Sequence, residues 1–209
     1  MGSSGFLNWW PGDTKDEIII GAILTQNTNW RNVEKAIHNL RDSNLLSLWE
    51  LSNAKITSIE NAIKPSGFYR QKALRLKNIA YIICEKYGGL GNLFRKDTKE
   101  LRNTLLSMNG IGMETADSII LYAAEKPSFV IDAYTKRIMS RVYGIDKKVS
   151  YETLQSFITS NIRSDIVIYK DFHAQFVELG KHFCMNEPSC SNCPVNKICR
   201  YYNNGSDGL

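Results

Sequence analysis

The stretch MNGIGMETADSI, residues 108–119, decides the fold of this chain of 209 residues. Two glycines, Gly110 and Gly112, flank one isoleucine, and a helix-forming run starts at Met113. Because a Gly-x-Gly turn lets the backbone approach closely, its N–H groups and the positive end of the next helix can hold a phosphate. The alternative is a tight turn between two antiparallel helices, since Gly-x-Gly alone is a weak signal. The second residue of the run is an acid, Glu114, which is an unusual neighbour for a phosphate.

Helix-forming patterns continue on both sides of this turn. Ser, Thr and Asp residues occur as candidate N-caps, and several have an acid three residues later. No alternating strand pattern persists, so the sequence predicts an all-α fold. The predicted boundaries are capping boxes at Thr14–Glu17 and Thr57–Glu60, a cap at Asp97, helices over residues 69–87 and 113–124, a helix from Asp132 to Tyr143 that ends at Gly144, and a last helix over residues 171–183.

The composition is that of an ordinary globular protein, with 43% hydrophobic and 22% charged residues. No apolar run approaches the length of about 18 residues that a membrane-spanning helix needs, and we expect no membrane partner. The first ten residues, MGSSGFLNWW, lack the basic and apolar regions of a signal peptide, and MGSSG itself is left uninterpreted. The net charge of +5 is compatible with a nucleic-acid partner but too small to establish one. We therefore expect an intracellular protein.

Four of the five cysteines occur within 16 residues, in the pattern C-x5-C-x2-C-x5-C. Such crowding indicates metal ligands in a reducing compartment, whereas disulfides would be spread along a secreted chain. Four ligands in one short loop favour an iron–sulfur cubane, because structural zinc more often uses two C-x2-C pairs that lie farther apart. We therefore predict a 4Fe–4S cluster as the cofactor, with zinc as the alternative. The predicted ligands are Cys184, Cys190, Cys193 and Cys199.

These motifs together resemble the endonuclease III superfamily of helix-hairpin-helix DNA glycosylases. The hairpin turn, an aspartate 18 residues after Glu114, the cysteine loop, LTQNT at 24–28 and GFYRQKA at 67–73 all match. The resemblance covers nearly the whole chain and implies two all-α domains with a DNA cleft between them. A six-helix barrel with the hairpin would span residues 20–127, and residues 1–19 and 128–209 would form a second domain with the cluster loop. That loop would carry Lys197 and Arg200 near DNA phosphates.

Asp132 and Glu114 would carry the chemistry that the resemblance implies. Breaking an N-glycosidic bond develops positive charge on the sugar, and a carboxylate beside a flipped-out nucleotide stabilises that charge and orients a water. Asp132 is the predicted catalytic residue, although a helix N-cap alone would also explain an aspartate there. Bifunctional members carry a lysine at the position of Glu114, and it forms a Schiff base with the sugar. A glutamate has no amine, so the resemblance implies a monofunctional glycosylase without AP-lyase activity.

Four longer segments narrow the resemblance to the 3-methyladenine DNA glycosylase III subfamily. They are WWP at 9–11, GAILTQNTNW at 21–30, PSGFYRQKA at 65–73 and GIGMETADSI at 110–119. Aromatic faces and an acid suit alkylated purines, because these bases carry a positive charge. The alternative for the tryptophan pair is an N-terminal arm that is anchored to the core. The chain departs from the subfamily in one feature, because the subfamily lacks an iron–sulfur loop. The implied base pocket consists of Trp9, Trp10, Pro11, Trp30, Glu114, Asp132 and, from the last helix, Gln175.

Several further residues are expected to contact DNA. Gln26 matches the family residue that fills the gap left by a flipped base, and the alternative is a solvated glutamine at a helix end. Gly110, Gly112 and Met113 would contact phosphate through their backbone. His173, on the last helix, is expected to be a satisfied core histidine.

The sequence thus predicts a monofunctional DNA glycosylase that excises alkylated purines in base excision repair. It would act as a monomer on double-stranded DNA that contains a damaged base. One alternative is a glycosylase for another lesion, such as an oxidised or mismatched base. The other is a DNA-binding homologue that has lost catalysis.

Overall fold

The computed structural model of the protein describes residues 9–204, and that part of the chain contains helices and no strand. The all-α prediction is confirmed. The segment MGSSG lies outside the described residues. None of the described helices is both long and apolar enough to cross a membrane. The α-helices are α1 (Lys15–Leu24), α2 (Trp30–Asp42), α3 (Leu48–Asn53), α4 (Ile56–Ile63), α5 (Tyr69–Tyr81), α6 (Leu90–Leu93), α7 (Thr98–Leu106), α8 (Met113–Ser118), α9 (Ala133–Tyr143), α10 (Tyr151–Asn161), α11 (Ile166–His182) and α12 (Arg200–Asn203).

Four short turns of other helix types complete the secondary structure between residues 9 and 204. The π-helical turns Ile82–Lys86 and Ile119–Ala123 continue α5 and α8, and the 3-10 turns are Lys64–Ser66 and Asn196–Ile198. With its π-helical turn, α8 covers the helix predicted over residues 113–124.

The described residues form two compact units. We call residues 10–128 the hairpin unit, and Trp9 together with residues 129–204 the terminal unit. The boundary predicted from the sequence lies at residue 20, inside α1. Helix α1 lies whole in the hairpin unit, and its apolar residues from Ile19 to Leu24 are buried in the core of that unit.

Helix α1 is central to the hairpin unit because its sequence IIIGAIL leaves no polar face. Ile19, Ile20 and Ile23 are fully buried. Helix α1 packs against α2, α5, α8 and the π-helical turn Ile119–Ala123, and α7 packs against α8. The two helices of the hairpin are therefore held by the same core.

Asp117 joins the two helices of the hairpin from inside. Its carboxylate is fully buried and accepts hydrogen bonds from Nε and Nη2 of Arg102, at 2.8 and 3.1 Å. It also accepts a bond from Oγ of Ser128 at 2.5 Å. Because a buried charge without a partner is costly, this two-pronged pair favours one arrangement of α7 against α8.

Lys72 is a lysine buried within the hairpin unit. Its ammonium group donates to the carbonyl oxygens of Leu24 at 2.8 Å and Ser66 at 2.7 Å, and so closes the C-terminal end of α1. Burial, and next the positive charge of Arg75, lower the pKa of Lys72 from 10.5 to about 8. An amine enclosed in this way serves the fold and is shielded from any substrate.

Capping follows the sequence at several helix starts. Thr14, Asp97 and Asp132 each accept a hydrogen bond from the backbone N–H three residues later. The predicted capping box at Thr57 is wrong, because the N-cap of α4 is Lys55, two residues earlier, and Thr57 lies inside the helix. The N-cap of α4, Lys55, makes no capping bond, so burial of the apolar face of α4 decides where this helix starts.

The terminal unit contains one helix that the sequence analysis missed and one that it placed too late. Helix α10 was not predicted, although Ser150 caps it by accepting a bond from the N–H of Thr153. Helix α11 begins at Ile166, behind the cap Asp165, and not at residue 171. Both caps lack an acid three residues later, which was the signal used at Thr14, Thr57 and Asp97.

The core of the terminal unit forms where α9 packs along α11. Helix α9 ends at Gly144, which has a φ of 73°, as predicted. Phe129 contacts Tyr169 and Phe176 edge-on, with ring centroids 5.4 and 6.4 Å apart. This packing places the start of α9, and hence Asp132, beside the middle of α11.

Candidate active site

The hairpin turn joins α7 to α8 through Gly110 and Gly112. Gly110 has a φ of 94°, which L side chains rarely adopt, whereas Gly112 is extended with a φ of −90°. Between residues 9 and 204, the backbone N–H groups of Gly112 and Met113 find no hydrogen-bond acceptor. The first N–H groups of a helix lack partners within that helix, so these two groups are available to an external acceptor.

Arg75 and Gln26 brace the turn. The side chain of Arg75 lies so close to Gly110 that a Cβ there would stand 2.6 Å from its Cδ. Nη1 of Arg75 donates to Oε1 of Gln26 at 2.8 Å. Nε2 of Gln26 donates to the carbonyl of Gly110 and the hydroxyl of Thr115, both at 3.0 Å. Both ends of the Gln26 side chain are engaged at the turn, and its role in filling a gap in DNA remains a prediction.

Three aromatic side chains of the hairpin unit form one cluster. Trp10 stacks on Tyr122 with ring centroids 4.8 Å apart and meets Trp30 edge-on at 5.8 Å. Trp30 lies against Gly21, where a Cβ would stand 3.3 Å from the indole. Two of the predicted pocket residues, Trp10 and Trp30, are therefore in contact, and Pro11 is exposed.

Trp9 belongs to the terminal unit, whereas its sequence neighbour Trp10 belongs to the hairpin unit. Nε1 of Trp9 donates to Oε1 of Glu178 at 3.2 Å, and the ammonium of Lys181 lies 5.5 Å from the centre of the indole. These contacts are those expected of a residue that anchors an N-terminal arm. The two tryptophans were predicted as a pair, but the structure divides them between the units.

Asp132 caps α9 with one oxygen of its carboxylate. Oδ1 accepts from the backbone N–H and the hydroxyl of Thr135, at 2.7 and 2.8 Å. Burial pushes the pKa of Asp132 upward, but the nearby imidazole of His173 and the bonds from Thr135 outweigh it, so the pKa is lowered. The side chain keeps 13% of its surface exposed. Asp132 is therefore a rigidly held anion that still reaches the surface of its unit.

His173 is the neighbour of Asp132 that the sequence analysis treated as core. It lies on α11, and its Nε2 is 3.6 Å from Oδ2 of Asp132. The side chain is buried. The two residues are distant in sequence, and no local motif links them, so their proximity depends on the packing of α9 against α11.

Glu114 and Gln175, two further predicted pocket residues, lie in different units. Glu114 is exposed in the first turn of α8, and its carbonyl accepts from Oγ of Ser118. Gln175 is half-buried on α11, and its Nε2 donates to Oδ2 of Asp171 at 2.6 Å. The predicted contact of these residues with a base remains a prediction.

The four predicted ligand cysteines line one cavity of the terminal unit, together with Arg141. None of them forms a disulfide, and Nη1 of Arg141 lies 3.3 Å from Sγ of Cys184. Burial, and next the neighbouring thiols of Cys199, Cys193 and Cys184, raise the pKa of Cys190. Within residues 9–204, no three His, Cys, Asp or Glu side chains form a group that could hold a metal ion. The thiols are near one another without forming a single-ion site.

Arg200 and Lys197, the predicted phosphate contacts of the cysteine loop, have different surroundings. Nη1 of Arg200 donates to the carbonyl of Tyr143 at 3.0 Å, and its guanidinium lies against Gly144. It therefore closes the C-terminal end of α9. Lys197 is exposed. Arg200 is exposed as well, and the contact of both residues with DNA phosphates remains a prediction.

Phe68 is an exposed aromatic residue that the sequence analysis passed over. Its side chain is 66% exposed, and its φ of 46° is rare for an aromatic residue. The ring of its neighbour Tyr69 lies 5.9 Å from the ammonium of Lys64 and 5.8 Å from the guanidinium of Arg70. An exposed ring on strained backbone among cations is a candidate contact for nucleic-acid bases. Nothing in the segment GFYRQKA distinguishes this phenylalanine from a buried one.

The all-helical fold, the glycine hairpin and the capping aspartate define a class, that of the helix-hairpin-helix proteins of base excision repair. Residues 20–164 match the HhH-GPD superfamily of base excision DNA repair proteins, and the chain belongs to this superfamily. It is thus a DNA glycosylase of that superfamily, related to endonuclease III.

Three comparisons give the similarity of this chain to known proteins in sequence and in structure. The chain is 47% identical over 197 residues to the "putative DNA repair glycosylase" of Methanocaldococcus jannaschii, over 93% of this chain and 90% of that one. H. pylori 3-methyladenine DNA glycosylase (MagIII) bound to 1,N6-ethenoadenine has a similar structure, with a TM-score of 0.74 and 30% identity over 83% of this chain and 87% of that chain. A non-covalent endonuclease III–DNA complex has a TM-score of 0.80 at 19% identity, over 93% and 87% of the chains, and shows the shared fold.

Proposed function

We propose that this protein is a monofunctional DNA glycosylase that removes alkylated purines of the 3-methyladenine type from double-stranded DNA. The observation that carries the proposal is Asp132, a carboxylate that Thr135 holds in place and that stays ionised although it is largely buried. Glu114 stands where a lyase would need an amine, and a carboxylate cannot form a Schiff base.

In the proposed reaction, water replaces the base at C1′ of the deoxyribose. The bond from C1′ to the base nitrogen breaks, and its electron pair leaves with the base. The negative charge of Asp132 stabilises the positive charge that develops on the sugar. A water then bonds to C1′ and releases a proton to the solvent, which leaves an abasic site. Because Thr135 occupies Oδ1 of Asp132, Oδ2 is the oxygen assigned to the sugar and the water.

Alkylated purines suit the side chains that are assigned to the base pocket. A cationic base is attracted to the aromatic faces of Trp10 and Trp30 and to the carboxylate of Glu114. Alkylation also weakens the glycosidic bond, so little activation of the leaving group is required. The 30% identity with MagIII, whose structure contains 1,N6-ethenoadenine, supports a purine lesion as substrate.

DNA is proposed to bind through its phosphates at the hairpin turn. The N–H groups of Gly112 and Met113, next to Gly110, offer donors that do not depend on base sequence. Exposed Phe68 and Lys197 are the further side chains that we assign to DNA contact. Such binding fits an enzyme that searches duplex DNA for rare lesions.

The cysteine loop is proposed to hold a 4Fe–4S cluster. Four thiols without disulfide partners around one cavity are the donor set that such a cluster takes. When bound, the cluster would order the loop, and the hydrolysis would rest on the residues of the chain.

Base release from duplexes that each contain one lesion tests the proposal. The panel comprises 3-methyladenine, 1,N6-ethenoadenine, 8-oxoguanine and a thymine mismatch. We expect 3-methyladenine to be released as free base. The strand that contained it should break only after treatment with hot alkali. Borohydride should trap no covalent complex, because no lysine attacks the sugar.

Each other outcome of this assay has a defined meaning. Release of only an oxidised or mismatched base would support the glycosylase activity but contradict alkylated purines as the substrate. Binding without release from any duplex would identify a DNA-binding homologue. A covalent complex trapped by borohydride would show that a lysine acts as nucleophile and would overturn the monofunctional assignment.

A further inference from the structure

The two oxygens of the Asp132 carboxylate have different partners in the terminal unit. Oδ1 accepts from the backbone N–H and the hydroxyl of Thr135, at 2.7 and 2.8 Å, one turn along the same helix. Oδ2 lies 3.6 Å from Nε2 of His173 on α11. The oxygen that the proposed reaction uses is therefore the one that faces the histidine.

His173 is held in this position from another side. Its side chain is only 3% exposed, and the indole of Trp9 meets its ring edge-on, with centroids 5.7 Å apart and an interplanar angle of 88°. Trp9 donates a hydrogen bond to the carboxylate of Glu178, and this carboxylate also pairs with the side chains of Lys181 and His182. The imidazole is thus enclosed between an indole and a carboxylate, so its direction is set by packing.

The charge on Asp132 depends on this neighbour. Burial disfavours the ionised form, since the carboxylate loses its water shell. The imidazole of His173, whose Nε2 lies 3.6 Å from Oδ2, opposes the effect of burial together with the bonds from Thr135, and the pKa of Asp132 is lowered. Within the terminal unit, the charged side chains of Glu178, Lys181 and His182 are connected to His173 through Trp9.

We propose that His173 is a positioning residue that holds Oδ2 of Asp132 in one direction and keeps the carboxylate charged for the hydrolysis. This inference rests on the proposed glycosylase function. His173 acts through Asp132 and takes no part in bonding to base or sugar. Without it, Asp132 would keep its cap contact with Thr135, but burial would favour the neutral acid, which cannot stabilise a sugar cation.

Two substitutions of similar polarity separate this role from a packing role. The amide nitrogen of His173→Gln is as many bonds from Cβ as Nε2 of histidine, whereas that of His173→Asn is one bond shorter. The measurement is the rate of single-turnover base release between pH 4 and pH 9. In His173→Asn, we expect the acidic limb of the profile to move upward by about one pH unit or more, and activity to recover toward pH 9. His173→Gln should lie between it and the unsubstituted protein.

A loss of rate that is equal at every pH in His173→Asn, or an unchanged profile, would overturn the inference in favour of a core histidine. His38→Asn is the matched control, because His38 is an exposed histidine of the hairpin unit whose Nε2 pairs with Asp42. It should leave the profile unchanged. Melting temperatures of all variants show whether each one folds.

A second measurement does not depend on the substrate. ¹³C NMR of the DNA-free protein with labelled aspartate gives the titration of the Asp132 carboxyl directly. We expect that titration to move to higher pH in His173→Asn, and an unchanged titration would overturn the inference. If the unsubstituted protein releases no base from any duplex, the proposed function fails, and the NMR titration still decides whether His173 controls Asp132.

Discussion

Asp132 serves the fold and the proposed reaction with different oxygens of one carboxylate. Oδ1 caps α9 through Thr135, and Oδ2 faces His173. The two explanations of this residue that the sequence left open, a helix cap and a catalytic carboxylate, are therefore compatible. A capping bond also removes rotational freedom, so the charge stays in one place during the reaction.

Asp132→Asn separates the cap from the charge. The amide oxygen of asparagine can still accept the N–H of Thr135, so the protein should fold. Base release should fall by at least about a hundredfold, because the sugar cation loses its counter-charge. Fluorescence anisotropy should show unchanged DNA binding. Asp165→Asn is the matched control, since Asp165 caps α11 by the same type of bond, and it should release base normally. Near-normal turnover by Asp132→Asn would remove this residue from the mechanism.

Lys72 makes stability depend on pH. Its pKa is lowered to about 8 in the fold, against 10.5 as the ordinary value. Between these pH values the unfolded chain binds more protons than the folded one, so the free energy of unfolding rises with pH across this window. Below about pH 8, Lys72 no longer makes the free energy of unfolding depend on pH, because it is protonated in both the folded and the unfolded state.

We therefore compare urea unfolding of the unsubstituted protein with that of Lys72→Met from pH 7.5 to pH 10.5. The free energy of unfolding of the unsubstituted protein minus that of Lys72→Met should rise from pH 7.5 to pH 10.5, by at most about 3 kcal/mol. A constant difference would mean that the carbonyls of Leu24 and Ser66 stabilise the ammonium enough to restore its ordinary pKa.

At the scale of elements, the hairpin depends on residues far from it in the chain. Asp117 of α8 connects to α7 through its hydrogen bonds with Arg102. The turn is supported by Gln26, which follows α1, and by Arg75, which lies on α5. The short Gly-x-Gly motif is thus sufficient to signal the turn. Its geometry is held by side chains that the motif does not contain.

The two glycines of the turn should respond differently to alanine. Gly110→Ala places a Cβ at a φ of 94° and within 2.6 Å of Arg75, so it should lower the free energy of unfolding by about 1–3 kcal/mol. DNA binding should weaken as the turn rearranges. Gly112→Ala has open space and an ordinary φ, and should cost less than about 1 kcal/mol. Thermal unfolding and DNA titrations measure both variants. Equal destabilisation by the two substitutions would contradict the bracing by Arg75.

At the scale of the whole molecule, the division into units differs from a simple cut of the chain. Trp9 belongs to the terminal unit together with residues 129–204, and residues 10–128 form the other unit. The cysteine loop and Asp132 both belong to the terminal unit. Arg137 and Arg141 attach α9 to the segment that leads into the cysteine loop, because they donate to carbonyl oxygens of residues 180–186.

The proposed cluster predicts the metal content of the purified protein. The protein should be brown, with about four iron and four sulfide ions per chain. Cys190→Ser should lose iron and colour, because it removes one of the four thiols that line the cavity. Cys84→Ser is the matched control, since Cys84 lies in the hairpin unit, and it should keep both. A colourless, active protein that contains one zinc ion would contradict the cluster.

Most of what the sequence by itself determined is local. The caps at Thr14, Asp97 and Asp132 and the helix end at Gly144 follow from contacts between residues three or four apart. Helix α10 was missed for a related reason, because its cap Ser150 has no acid three residues later. The family, and with it the all-α fold, could be predicted because its motifs are short and each is contiguous in the chain.

Only the tertiary structure decided which residues meet across the chain. It brought His173 to Asp132, Gln26 to Gly110 and Lys72 to the end of α1. It also divided the tryptophan pair between the two units. The physical reason is that helix periodicity identifies the buried face of a helix but not its partner. The partner is chosen by how all the apolar faces fill one core together, and this choice depends on the whole chain.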